Sequence, residues 1–188
     1  YPVIYNYLKE IWDKIESWEL KVKWSGLYKR DDQWKNWWNL RPCIYYSDFE
    51  KERIAWSDMA IEPTFSLVDA GVFLNNTAYM ISCDSRKYFI GILNSPVIRW
   101  YFPQIATDLW DNWSRYFKQF VELIPIPEIT DSNRVIVEKI ELLVQNIYNR
   151  KKVHPGTDTK EWESQISELV YRLYSLTPEE IAIIEEGK

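Results

Sequence analysis

The densest apolar patterning falls between Tyr88 and Pro127. Y-F-I-G-I-L-N-S-P-V-I-R-W-Y-F is followed by a polar stretch and then by R-Y-F-K-Q-F-V-E-L-I-P-I-P. No apolar run in it is long enough to cross a bilayer. The pattern predicts a buried helix over 86–94, a break at Asn94-Ser95-Pro96, an apolar helix over 96–105, and a buried strand that stops at Pro125-Ile126-Pro127. Ser95 followed by Pro96 is a helix-start signal. The serine oxygen can cap free amides, and a proline in the first turn loses no hydrogen bond. Pro125 and Pro127 cannot donate to a ladder, so they mark a strand end.

Upstream, 1–18 shows helical periodicity, with Ile4, Leu8, Ile11, Trp12, Ile15 and Trp18 on one face and Lys9, Glu10, Asp13, Lys14 and Glu16 on the other. Residues 22–36 read as a charged loop and 37–46 as an extended aromatic segment. Short strands are expected at 53–56, 64–68, 72–74 and 78–82. Asp69-Ala70-Gly71 forms a hairpin-like turn in which Gly71 takes positive φ. Residues 106–114 read as a polar loop carrying Trp110 and Trp113. Downstream, 131–152 and 159–174 carry apolar stripes at helical spacing, separated by His154-Pro155-Gly156. Thr177-Pro178-Glu179-Glu180 is a capping box that opens a last short helix. The order predicts an α+β fold, a mixed or antiparallel sheet with flanking helices and a helical C-terminal arm. Its expected division is 1–128, with the N-terminal helix, and 129–188.

Composition supports a packed core. Of 188 residues, 46% are hydrophobic and 16% aromatic, with 11 Trp. Position 1 is Tyr, and no basic-then-apolar leader precedes the first helix, which suggests a piece of a longer protein in the cytoplasm. Cys43 and Cys83, 40 residues apart and without a CxxC pattern, read as small buried residues. The net charge of −5 is unevenly spread. Residues 155–188 hold eight acids and three bases, which leaves 1–154 neutral. Within that body, 20–41 holds six bases (Lys21, Lys23, Lys29, Arg30, Lys35 and Arg41) against Asp31 and Asp32. A local basic patch can serve phosphate contacts in an acidic chain; it can equally be a solvated loop.

Catalytic signatures are lacking in the sequence. The single histidine, His154, sits beside a Pro-Gly break, which disfavours acid–base or triad chemistry through it. There is no Gly-rich phosphate loop and no metal-ligand spacing. Neither an Asn-Pro-Pro-aromatic methyltransferase signature nor a Pro-Asp…Glu-x-Lys nuclease constellation occurs. Glu50 and Glu52 lie among charged neighbours and read as solvated. No catalytic, cofactor-binding or metal residue is therefore expected in this chain. What remains is a binding surface, with aromatics interleaved among bases between Trp34 and Arg53.

Four segments occur in a telling order: W-W-N-L-R-P-C-I-Y-Y-S-D-F-E-K-E-R-I-A-W, F-S-L-V-D-A-G-V-F-L-N-N-T-A-Y-M-I, Y-F-I-G-I-L-N-S-P-V-I-R-W-Y-F and R-Y-F-K-Q-F-V-E-L-I-P-I-P. Together they resemble the TaqI-like C-terminal specificity domain, the target recognition domain of type IIG restriction-modification enzymes and related DNA adenine methyltransferases. The ending L-V-Y-R-L-Y-S-L-T-P-E-E-I-A-I-I-E is similar to the way many such polypeptides finish. One departure is Lys51-Glu52-Arg53, where the family more usually has Lys-Pro-Lys. It brings a carboxylate into the strand entry.

The resemblance implies a module that reads base edges of double-stranded DNA while an upstream domain flips an adenine and methylates N6. The catalytic methyltransferase, and often a nuclease, would precede this chain. That parent would use S-adenosylmethionine and, where it cleaves, Mg2+. The residues it suggests for DNA contact are Lys29, Arg30, Lys35, Arg41 and Lys51, with Arg115 and Lys118 near the second loop. Asn75 and Asn76 either bond adenine edges or make the turn. Two other readings stay open: a protein-interaction or scaffolding domain using the terminal helices, and carbohydrate binding by Trp platforms. No membrane partner is expected.

Overall fold

In the computed structural model, residues 1–17, 45–107 and 113–187 are described. The chain forms two compact units, 1–46 and 47–188. In the first, helix α1 (Pro2–Glu16) has the expected amphipathic pattern. Leu8, Ile11 and Trp12 are half-buried, and exposed i,i+4 ion pairs join Lys9 to Asp13 at 2.8 Å and Lys14 to Glu10 at 2.6 Å. The basic stretch 20–41, Cys43 and nearly all of the expected extended segment 37–46 lie outside the described residues.

A 3-10 turn (Tyr46–Glu50) leads from the last residue of the first unit into the second, which continues with β1 (Arg53–Ser57), β2 (Met59–Ala60), β3 (Ser66–Val68) and β4 (Ala78–Ile81). Strand β1 is central in the antiparallel order β3-β1-β4. Arg53, Ile54, Ala55 and Trp56 are all buried, because β1 is covered on both faces. Helices α2 (Arg86–Leu93) and α3 (Pro96–Ile105) follow, as the periodicity predicts. Then come β5 (Ser114–Arg115), a one-turn helix α4 (Lys118–Val121), α5 (Arg134–Val153), α6 (Lys160–Leu173) and α7 (Pro178–Glu186). Strand β5 pairs antiparallel with β2 as a separate two-stranded ribbon. The fold is α+β.

Four local expectations are corrected. Residues 72–74 form no strand, and β3 pairs with β1 instead of with its sequence neighbour. Gly71 does adopt φ +83°. Its amide, however, donates to Phe49 O at 2.7 Å, and the Arg53 guanidinium donates to the Val72 carbonyl that a hairpin partner would have used. The expected strand before Pro125 is only two residues long. Beyond it Phe120, Val121 and Ile124 turn inward at helical spacing, so the chain coils for one turn. Ribbon strand β2 was not expected at all. Finally, Ser95 does not cap α3 with its side chain. Its Oγ is buried without a hydrogen-bond partner, while Pro96 occupies the first turn as anticipated.

Asn94 makes the junction instead. Its Oδ1 accepts from Phe65 N at 3.0 Å and its Nδ2 donates to Phe65 O at 2.7 Å, so one side chain serves both backbone groups of a residue beside β3. Helices α5 and α6 pack on α2 around Gly91. A Cβ there would collide with Ile140 and touch Val144 at 3.4 Å. The Pro-Ile-Pro segment is fixed through its carbonyls: Tyr174 donates to Pro125 O at 2.6 Å and Tyr88 to Pro127 O at 2.8 Å. Burial pushes the Tyr88 hydroxyl up to about 12. At the far end the capping box is complete, with Glu180 N donating to Thr177 Oγ1 at 3.3 Å and Thr177 N to Glu180 Oε2 at 2.8 Å.

Candidate nucleic-acid interface

Of the seven basic residues suggested by the sequence, Lys29, Arg30, Lys35 and Arg41 lie outside the described residues. Lys51 is exposed at the entry to β1 and lies 3.7 Å from Asp48. Lys118 is exposed at the start of α4 and pairs with Glu122 at 2.7 Å. Arg115 is half-buried in β5, its guanidinium carbon 4.9 Å from the Phe117 ring centre. No carboxylate among the described residues pairs with it. Arg115 and Lys118 belong to one short segment. Lys51 stands at the opposite end of β1, whose four residue steps span about 13 Å.

The ribbon positions Arg115. Met59 lies opposite Arg115 and Ala60 opposite Ser114. Along the second strand, Ser114 and Tyr116 are buried while Trp113 is exposed and Arg115 and Phe117 are half-buried. Along the first, Ala60 is buried between exposed Met59 and Ile61. The period-2 alternation therefore gives each strand an inward and an outward row. Two features hold the inward row. Trp56 Nε1 donates to Tyr116 O at 2.7 Å, and the Tyr116 ring stacks on Phe102 at 4.1 Å between centres. Burial pushes the Tyr116 hydroxyl up, opposed by nearby Arg99. Arg99 itself pairs with Glu62 at 3.3 Å. Beside the outward row, Tyr79, Phe117, Lys118, Gln119 and Glu122 line a shallow depression of about 280 Å³.

Several other charges on this unit are committed internally. The carboxylate of Glu52, the departure at the strand entry, faces Arg86 at 3.3 Å, and Arg86 also donates to Cys83 O at 2.6 Å. Arg53 is fully buried. It donates to the carbonyls of Phe49 at 3.2 Å and Lys51 at 2.9 Å and lies 4.8 Å over the Phe49 ring. Its role is to join the 3-10 turn to the 69–72 loop, not to face a phosphate. Asn75 makes the turn: its Oδ1 accepts from Thr77 N at 3.2 Å and Thr77 Oγ1 at 2.8 Å. Cys83 is a half-buried free thiol whose pKa burial raises. Among the described residues no cluster of three or more His, Cys, Asp or Glu side chains could hold a metal, and no helix is long and apolar enough to cross a membrane.

Sequence reasoning missed Met59 and Ile61. The M-A-I alternation is too short to stand out, and its strand partner lies more than 50 residues away. Trp113 did stand out, as an aromatic within the polar stretch 106–114.

The TaqI-like C-terminal specificity domain matches residues 4–126, and the chain belongs to that family. It is thus a specificity domain of the kind found in restriction-modification enzymes. The match ends before α5, so it does not extend to the C-terminal ending that the resemblance also takes in.

Proposed function

We propose that this chain recognises a specific sequence in double-stranded DNA and holds the duplex for a catalytic partner domain of the same polypeptide. The observation that carries the reading is the family match over 4–126, joined by an Arg115 that no described carboxylate neutralises, on an exposed ribbon. In this reading Arg115 and Lys118 meet the duplex at one place and Lys51 at another, with Lys29, Arg30, Lys35 and Arg41 adding contacts. The proposed partner upstream is an adenine-N6 methyltransferase, with or without a nuclease, of the type IIG class. It would bring S-adenosylmethionine and, for cleavage, Mg2+. Residues 1–128 would read the target and 129–188 would dock on the rest of the enzyme, in the cytoplasm.

The test is duplex binding by the full polypeptide as salt is varied. Affinity should fall steeply with salt, and Lys118→Ala should flatten the log–log slope by about 0.9, the loss of one phosphate contact. Arg115→Ala should weaken binding or relax the target. Absence of duplex binding by the intact polypeptide rejects the proposal.

A further inference from the structure

The outward row of the β2–β5 ribbon is unusual for a solvent face. Met59 is 37%, Ile61 55% and Trp113 37% exposed, while the inward residues Ala60, Ser114 and Tyr116 are all buried. Both faces of the ribbon therefore carry apolar or aromatic side chains. Continuing the register of Met59 with Arg115 by two residues sets Ile61 opposite Trp113. The resulting row holds three exposed apolar side chains and one guanidinium, which is braced over Phe117. A scaffolding surface would need nothing to fix the direction of a lone arginine. A surface that reads base edges does need it.

The dimensions agree. Two strands about 4.8 Å apart make a ribbon narrow enough for the roughly 12 Å major groove. The chemistry of the row matches what that groove displays. Guanidinium donors suit the two acceptors of guanine, and apolar side chains suit the thymine methyl, the one apolar group on a base edge there.

Resting on the DNA reading above, we propose that the β2–β5 ribbon is the element that enters the major groove. Trp113, Ile61 and Met59 are its specificity-determining residues, contacting thymine methyls beside a guanine read by Arg115. The three apolar residues and Arg115 set which sequence is held, and Lys118 and the other cations set how tightly any duplex is held.

The experiment uses the full polypeptide, wild type and the variants Trp113→Ala, Ile61→Ser, Trp113→Phe and Leu142→Ala. Leu142 lies on α5, far along the chain from the ribbon, and is 60% exposed. Each protein selects from a randomised duplex pool, and the enriched duplex is then remade with deoxyuracil in place of each thymine, which removes only a methyl. The wild type should select a thymine-containing motif and lose affinity on uracil replacement at one or two positions. Trp113→Ala or Ile61→Ser should lose discrimination there by roughly 4-fold, the burial of about one methyl, be indifferent to uracil at the same position, and keep the wild-type salt slope. Trp113→Phe should retain part of the preference, and Leu142→Ala all of it. A wild type that selects a motif which the ribbon variants leave unchanged overturns this assignment while sparing the DNA reading. So does a uniform loss on all duplexes with an altered salt slope. A wild type that selects no motif removes both.

Discussion

At the scale of single residues, three positions set how neighbouring segments meet. Asn94 satisfies Phe65 N and Phe65 O together, standing in for a missing ladder partner. Asn94→Ala leaves both groups unpaired at a half-buried site, which should cost about 1–3 kcal/mol; urea unfolding measures it, and an unchanged midpoint would contradict the role. Gly91 lets α2 approach α5. An added methyl meets Ile140, which is fully buried and has no room to withdraw. Gly91→Ala should therefore destabilise: overpacking costs about 1–3 kcal/mol, against about 1 kcal/mol returned by helix propensity. A more stable variant would show that the helices can separate without cost. Asp69 is the third. Its carboxylate accepts hydrogen bonds from Lys152, at 2.7 Å, and from Tyr148, tying the turn after β3 to the end of α5.

The Asp69 cluster has a definite pH signature. Hydrogen bonds from Lys152 and then Tyr148 lower the Asp69 pKa from its usual 3.8. A depressed carboxylate contributes stability above its unfolded value and loses it as pH falls through the folded one. The hydrogen bond that each donates to Asp69 is the main cause that raises Tyr148 from 10.0 and Lys152 from 10.5, so their contributions fade only as pH rises through the folded values. The tie should hold between about pH 4 and 10. Hydrogen exchange over 69–73 should accelerate below that range in the wild type. In Asp69→Asn it should be fast already at neutral pH, and identical profiles would dismiss the tie.

At the scale of elements, the helices were legible in the sequence and the sheet was only half so. α2, α3 and α6 emerge within one residue, and α5 within three, because their apolar spacing is local. The last helix was marked by its capping box. Thr177→Ala removes one half of that box and should cost about 1 kcal/mol, read as a lowered denaturation midpoint, whereas Thr177→Ser should cost less. Strand partners were not legible. β1 pairs with β3 and β4 across irregular segments, and β2 with β5 across more than 50 residues, through strands as short as two residues. The hairpin suggested by Asp69-Ala70-Gly71 failed because a buried arginine, invisible as such in the sequence, took the carbonyl of Val72. The same limit hid part of the candidate site. Arg115, Lys118 and Trp113 stood out by type, but only the register joins them to Met59 and Ile61.

At the scale of the whole molecule, net acidity and duplex recognition are compatible because the charge is segregated. The excess of acids lies in 155–188, beyond the segment that matches the specificity-domain family. Half of the described lysines and arginines on the second unit answer a carboxylate; on this account the ribbon's arginine acts through its placement over Phe117 and not through a broad basic field. Recognition on this account depends on a small shaped surface, with affinity supplemented by the remainder of the polypeptide.

The most direct measurement is side-chain footprinting of the full polypeptide with hydroxyl radicals, with and without a duplex that it selects. Met59, Trp113 and Phe117 are oxidisable reporters on the ribbon, and Trp100 and Leu142 report from elsewhere. The duplex should protect the ribbon residues and leave Trp100 and Leu142 as reactive as before. Protection confined to α5, or equal reactivity everywhere in the presence of bound duplex, would contradict the claim that this ribbon meets DNA.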